Sequence, residues 1–276
     1  MLAIPGLIFL VAFYYMPMLG LVIPFKKMDY SLGILKSPWV GFKNFEFLFK
    51  TKDAFRITRN TLCLNLLFIV VTLLLSITLS LLLYELGKKS VKVYQTALYV
   101  LYALIIPQMG VIPRILADLG MDVKNFYNEP SYWPFILLAS YVWKNIGYMT
   151  LLFYSTLISI DLTYFEAAAI DGANKFQITF KISIPHMLPV IILMTLMQIG
   201  KIFYADFGMF YFLTRDSGVL YSTTDVIDTY VYRALCVTGD IGMASAAGLY
   251  QSVVGFLLVM ASNLVVKKTN DEYAIF

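Results

Sequence analysis

The sequence predicts an all-α membrane protein, a single bundle of about six transmembrane helices spanning residues 1–276 as one domain. Two observations predict it. Hydrophobic residues make up 60% of the chain and charged residues only 14%, with a mean hydropathy of +0.76; a soluble domain carries far more charge. The apolar residues also come in long runs. Each bilayer crossing takes about 20 apolar residues, so five to seven crossings use up most of the chain.

Taken in order, the first span is expected over 2–25. A cleaved signal peptide competes for this stretch, but the run lacks a basic head and is too long and aromatic. Residues 26–60 form a mixed connector carrying Trp39, Gly41 and Phe42. The second span is expected over 61–84, unbroken and rich in leucine, and a short basic loop with Lys88, Lys89 and Lys92 follows. The third span, 95–115, is interrupted by Pro107, Gln108 and Pro113; Gln108 there serves to satisfy a broken helix's backbone rather than a ligand. The fourth covers 133–158, the fifth 187–206 and the sixth 244–266. Between the fifth and sixth lies a long connector, 207–240, with turn residues at Arg215, Asp216, Ser217 and Gly218. No internal repeat is visible.

The loop 159–186, between spans four and five, differs from the rest. Glu166 is followed by three alanines, strong helix formers, and Gly172 is suited to stopping a helix with a positive φ. A second amphipathic turn or two is expected through Phe176, Phe180 and Ile184, with Pro185 and Pro189 opening the next span in its first turn. The plain alternative is an ordinary connecting loop, although the alanines leave a smooth surface that another protein can approach closely.

The spacing Glu166-Ala167-Ala168, three residues, Gly172, nine residues, Ile182, one residue, Ile184-Pro185 resembles the "EAA loop" of ABC-transporter importer permeases. Its one departure is Ile184, where leucine is usual. In that family the loop is a cytoplasmic coupling helix inserted into a groove of the ATP-hydrolysing subunit. The resemblance therefore implies coupling roles for Glu166, Ala167, Ala168, Asp171, Gly172, Ile182 and Pro185. It extends over nearly the whole chain. VGFKNFEFLF with Arg59-Asn60-Thr61-Leu62, DTYVYR, and GMASAAGLYQSVVGFLLVMASNLVVKK are similar to carbohydrate-importer permeases of the branch that handles oligosaccharides and polysaccharide fragments. The implied assembly is this chain, a second homologous permease, two ATP-binding subunits and an extracellular sugar-binding protein, in the bacterial cell membrane with both termini cytoplasmic. Connectors 26–60 and 207–240 would meet the binding protein. The implied mechanism is alternating access.

Charge runs against that orientation. With the Glu166 loop inside, the cytoplasmic side holds Lys88, Lys89, Lys92, Lys175, Lys181, Lys267 and Lys268. The outer side holds eight basic residues between Lys26 and Arg59, plus Arg114, Lys124, Arg215 and Arg233. The positive-inside rule therefore votes the other way. A basic cytoplasmic head missing ahead of the first apolar run would account for part of this, and the orientation rests on the resemblance.

A sugar needs hydrogen-bonding groups and aromatic faces, and polar groups within spans face a cavity or a partner helix. Span four offers Trp143, Lys144, Asn145 and Tyr148; span five offers Gln198, Lys201, Tyr204 and Asp206. Similarity to the maltose-importer permease puts Trp143, Asn145, Tyr148 and Asp206 on sugar-contacting positions, although most neighbouring positions depart. Each has a blander reading. Trp143 and Tyr148 also suit an interfacial aromatic belt, as does Trp133. Lys144 suits snorkelling or an acid in the partner subunit as well as a ligand. Lys201 and Asp206, five apart, make a poor pair.

Other chemistry is excluded. No phosphate loop is present, so the chain cannot itself cradle ATP, and no nucleophile–base pair is evident. ATP and Mg belong to the partner subunit, and no cofactor is expected on this chain. His186, the one histidine, sits at a loop–helix joint where capping or contact with the ATPase suits it better than metal, and no metal site is expected. Cys63 and Cys236 make no disulfide framework, and Cys63 is expected to be a small buried residue. A net charge of +4 does not point to nucleic acid. The rivals are an ABC permease for a non-sugar solute, an ion-coupled secondary transporter, which would show repeated halves and charge pairs in several spans, and a non-catalytic membrane scaffold, which would need no polar cluster at mid-membrane.

Overall fold

The computed structural model describes residues 4–85, 126–269, 271 and 274. Among these, five helices are long and apolar enough to cross a membrane. The predicted third span, 95–115, lies outside the described residues together with Lys88, Lys89, Lys92 and Gln108.

The first crossing, α1 (Gly6–Phe25), is apolar on every side and, apart from Pro24 near its end, unburied, as lipid or partner-helix contact requires. Its wide turn, Val11–Tyr15, ends two residues before Pro17. The same device recurs in the fifth span, where the wide turn Thr179–Ser183 ends two residues before Pro185. A proline cannot donate to the carbonyl four residues back and its ring crowds that carbonyl; a turn with one extra residue relieves the crowding.

Helix α2 (Lys52–Glu85) starts nine residues earlier than the second span predicted, because Thr51 caps it by accepting from the Ala54 amide at 3.1 Å. Its 34 residues measure about 50 Å, well beyond the roughly 30 Å hydrocarbon core, so its first turns stand outside. Helix α3 (Trp133–Ile158) keeps the predicted bounds and packs along α2. Ile69, Leu73, Met149, Phe153 and Leu157 fill that seam at one end, and Phe68, Trp133 and Leu137 fill it at the other. Trp133 is fully buried, with its indole N–H donating to the Phe126 carbonyl at 2.8 Å, so it is a core residue and not a belt residue. Cys63 is exposed, against expectation; the buried stripe of α2 runs through Asn60, Leu64 and Phe68, and Cys63 faces away from it.

After α4 (Leu162–Ile170) comes α5, continuous over Lys175–Gly200. The expected fifth span, 187–206, is thus displaced at both ends. Pro185 and Pro189 lie inside the rod rather than at its start, and helix ends at Gly200, before Lys201 and Asp206. The connector beyond holds a turn at Arg215 and Asp216, both at positive φ, and an unpredicted amphipathic helix, α6 (Ile227–Thr238), closed by Gly239 at φ 66°. Last is α7 (Ile241–Thr269), started by Asp240, which accepts from the Met243 amide at 2.9 Å.

Two contacts give the bundle its polarity. Lys175 Nζ reaches Glu85 Oε2 at 3.1 Å, so the α2 C-terminus and the α5 N-terminus share one end. Asn44 Nδ2 donates to the Pro24 and Lys26 carbonyls and lies against Gly242, so the end of α1 and the start of α7 share the other. That second end is closed by a charged cluster. Asp225, whose side chain is 0% exposed, pairs with Arg56 at 2.9 Å and with Arg233, while Arg233 also holds Asp216 at 2.6 Å. The Asn60 amide donates to the Asp225 carbonyl at 3.1 Å, adding α2 to the clasp.

Candidate functional site: an elbow joined by one rod to a broken helix

The chain turns sharply between α4 and α5. Asp161 starts α4 by accepting from the Thr163 amide at 2.9 Å. The helix then stops in a Schellman arrangement: the Ala173 amide donates to the Ala168 carbonyl at 2.9 Å and the Gly172 amide to the Ala169 carbonyl at 3.1 Å. Gly172 supplies the required positive φ of 73°. Two residues later Asn174 and Gln177 form a reciprocal capping box, at 2.8 and 2.9 Å, and start α5. Helix, left-handed stop and new cap within eight residues make a rigid elbow. Glu166, Ala167, Asp171 and Gly172 are exposed on it; Ala168, Ile182 and Pro185 are half-buried. Ile170 is 86% and Phe176 77% exposed, an apolar surface unsuited to water. The elbow rests on the bundle through Phe165, whose ring lies 5.7 Å from that of Tyr84. His186 lies within α5, not at a joint; its Nδ1 is 2.7 Å from the Ile182 carbonyl and its ring 5.2 Å from that of Tyr164.

At the far end of α5 the backbone runs unwound from Lys201 to Asp206, and side chains from three other elements hold it. Asn65 of α2 donates to the Ile202 and Tyr204 carbonyls at 2.7 and 3.0 Å. Gln251 of α7 donates to the Phe203 carbonyl at 2.7 Å. Asp228 of α6 accepts from the Ala205 amide at 2.8 Å and from Gln251 at 3.2 Å. Broken backbone within a membrane protein persists only when its polar groups are met in this way. Burial raises the Asp228 carboxyl above its ordinary value, opposed by its hydrogen bonds to the Ala205 amide, its own amide and Gln251.

The expected sugar-facing residues divide at this break. Asp206 Oδ2 pairs with Lys144 Nζ at 2.5 Å, so the partner of Lys144 is an acid of its own chain, and Lys201 and Asp206 do not pair. Tyr148, one turn beyond Lys144 on α3, is 69% exposed, while Trp143 and Asn145 are half-buried. The Asn145 amide donates back to the Tyr141 carbonyl at 2.9 Å. Gln198 neighbours the Tyr141 hydroxyl. Tyr204 is not on the helix; its hydroxyl meets Ser252 of α7 at 2.6 Å, and Lys201 is exposed at the helix end. The structure thus brings together Lys144 and Asp206 at the break, ties Tyr204 to α7, and leaves Trp143, Asn145 and the exposed Tyr148 on α3 near Lys144. The holders Asn65, Asp228 and Gln251 escaped the sequence reading; a polar residue within an apolar run was the available signal for Asn65 and Gln251. Among the described residues no cluster of three metal-ligating side chains occurs.

Residues 2–271 match the family described as the binding-protein-dependent transport system inner membrane component. The chain belongs to that family. Protein LplB of Bacillus subtilis (strain 168) is 32% identical to this permease over 285 residues, covering 99% of this chain and 89% of the relative. The polygalacturonan/rhamnogalacturonan transport system permease protein YteP of the same organism is 30% identical, covering 99% and 88%. A permease of a bacterial alginate ABC transporter, solved in complex with an alginate pentasaccharide-bound periplasmic protein, superposes with a TM-score of 0.83 at 27% identity, covering 97% of this chain and 93% of that one. This permease is accordingly a membrane component of an ABC importer.

Proposed function

We propose that this permease carries a carbohydrate, an oligosaccharide or polysaccharide fragment, into the cell by alternating access. ATP and Mg are used on two separate ATP-binding subunits, and a second homologous permease and an extracellular sugar-binding protein complete the assembly. The elbow and both ends of the chain face the cytoplasm. Relatives named for polygalacturonan and alginate transport support the substrate class.

The observation that carries the proposal is the continuity of α5. Its 26 residues, about 39 Å, run without a break in helicity from the coupling elbow to Lys201, where the helix ends beside the Lys144–Asp206 pair. A displacement of the elbow by an ATPase subunit is therefore delivered to the substrate-facing break. The exposed Ile170 and Phe176 suit insertion into a groove of that subunit, and Glu166 is exposed on the same elbow.

Co-purification tests this. The wild-type chain retains the ATP-binding subunits in detergent, with hydrolysis stimulated by sugar-loaded binding protein; Glu166→Lys and Gly172→Pro release or uncouple them. A chain that purifies alone, with both variants indistinguishable from wild type, contradicts the proposal.

A further inference from the structure

Helices α5 and α7 pack closely at one level, where a Cβ added to Gly200 would stand 2.8 Å from Val259 and one added to Gly255 2.5 Å from the Gly200 carbonyl oxygen. On the elbow side of that contact they leave a groove of about 330 Å³. It is bordered by Ile192, Leu196 and Ile199 of α5 and by Ser262, Val265 and Val266 of α7, spaced three and four apart and so on one face of each helix. Leu196 is 2% exposed and forms the floor, whereas Val265 is 66% exposed at the rim. The Thr195 hydroxyl, also in the wall, already donates to the Ile191 carbonyl at 2.7 Å. No lining side chain is charged.

The chemistry changes at the elbow end of the groove. Lys267 and Lys268 follow Val266 directly, in the last turn of α7, and both are exposed. Among the described residues neither forms an ion pair, and Asp271, exposed in the tail, is a partner of neither. Residues 183–192 of α5 carry no acid. From Gly255 to Lys267 the helix rises about 18 Å, close to half of the roughly 30 Å hydrocarbon core. A close helix contact, an apolar groove and two unpaired ammonium groups thus follow one another over the depth of one leaflet.

We propose that this groove binds an anionic phospholipid, with one acyl chain between α5 and α7 and the phosphate on Lys267 and Lys268. Basic pockets between membrane helices hold acidic headgroups in this way, and a long lysine side chain reaches the interface from a helix end. The lysines decide for a lipid over an apolar helix of another subunit, which brings no phosphate to them. That the lipid belongs to the inner leaflet rests on the orientation proposed above; the groove and its lysines are independent of it. The bound chain lies along α5, the rod that joins the elbow to the break.

The test is native mass spectrometry of the complete assembly in detergent, titrated with phosphatidylglycerol or with phosphatidylcholine. Wild type retains phosphatidylglycerol at the lower concentration. Lys267→Gln combined with Lys268→Gln weakens that retention about tenfold and leaves phosphatidylcholine unchanged. Ser262→Phe, which fills the groove and alters no charge, weakens it as well. Lys27→Gln with Lys36→Gln, the same loss of charge at the other end of the bundle, has no effect. Recovery of each variant in the assembly shows that it folds. Equal retention of the two lipids by wild type overturns the inference. So does unchanged retention in Ser262→Phe, which reduces the lysines to a surface charge without a groove. Retention by the isolated chain but not by the assembly overturns it too, and assigns the groove to a neighbouring subunit. A chain that recovers no ATP-binding subunits contradicts the importer reading instead, and the same titration of the chain alone then decides the groove.

Discussion

Gly200 and Gly255 meet backbone to backbone: a Cβ at Gly255 would stand 2.5 Å from the Gly200 carbonyl oxygen. Between membrane helices the driving force is close packing rather than the hydrophobic effect, and small residues permit it. The contact falls where α5 ends and its backbone unwinds, so it fixes where the break occurs. Gly255→Ala should lower stability by about 1–3 kcal/mol, read as a drop in the thermal midpoint of the purified protein. Gly248→Ala, where nothing lies within 4 Å, is the matched control and should change little. Equal effects would contradict the close-contact account.

Asp225 is buried against two guanidinium groups, from α2 and α6. Removing its charge takes the shared buried partner from both, leaving Arg56 with Asp53 and Arg233 with Asp216, and breaking a buried pair costs about 3–5 kcal/mol. Asp225→Asn should therefore unfold at markedly lower temperature than Asp53→Asn, whose carboxylate is well exposed and pairs with Arg56 of its own helix. Comparable midpoints for the two variants would mean that the cluster does not close that end of the bundle.

Lys144 and Asp206 pair from elements 62 residues apart in sequence. The ammonium is more than half exposed, so the pair adds at most about 1 kcal/mol to stability. Its effect should appear in transport instead. Lys144→Gln and Asp206→Asn should each raise the sugar concentration for half-maximal uptake several-fold, with the double variant less than the product of the two. Strict multiplicativity would place the two groups in independent roles.

Asp228 gives a dependence on pH. Its carboxyl is raised in the folded chain by burial, so the folded form holds its proton to higher pH than the unfolded form. Stability from this group is therefore greatest at acid pH and falls as pH rises from the ordinary carboxylate value, about 4, through the raised one. Thermal midpoints measured from about pH 4 to pH 7 should show that slope in wild type and lose it in Asp228→Asn. An identical slope in both assigns it to another group.

How much of this was legible follows from what each element depends on. Span four could be read to the residue because an unbroken apolar run needs only its own composition. The elbow could be read because Gly172 and the alanines act locally. The fifth span was displaced because Pro185 and Pro189 signal a helix start, and the wide turn that absorbs Pro185 leaves no mark in the sequence. The break at Lys201–Asp206 was read as helix because its holders, Asn65, Asp228 and Gln251, come from three distant segments. For the same reason the reading of Lys144 left open snorkelling, an acid of the partner subunit and a ligand, and did not offer Asp206: periodicity reports which residues share a helix face, not which helices meet.

The central claim is that α5 transmits motion from the elbow to the break, and interrupting the rod tests it most directly. Leu193 lies on its exposed side, and a proline there removes a backbone hydrogen bond, costing about 3 kcal/mol of helix, without disturbing the elbow or the Lys144–Asp206 pair. The measurement is labelled sugar taken up per ATP hydrolysed in proteoliposomes containing the whole assembly. The account predicts that Leu193→Pro still binds the ATP-binding subunits and supports hydrolysis, while sugar moved per ATP falls at least about tenfold. An undiminished ratio would show that coupling travels by another route.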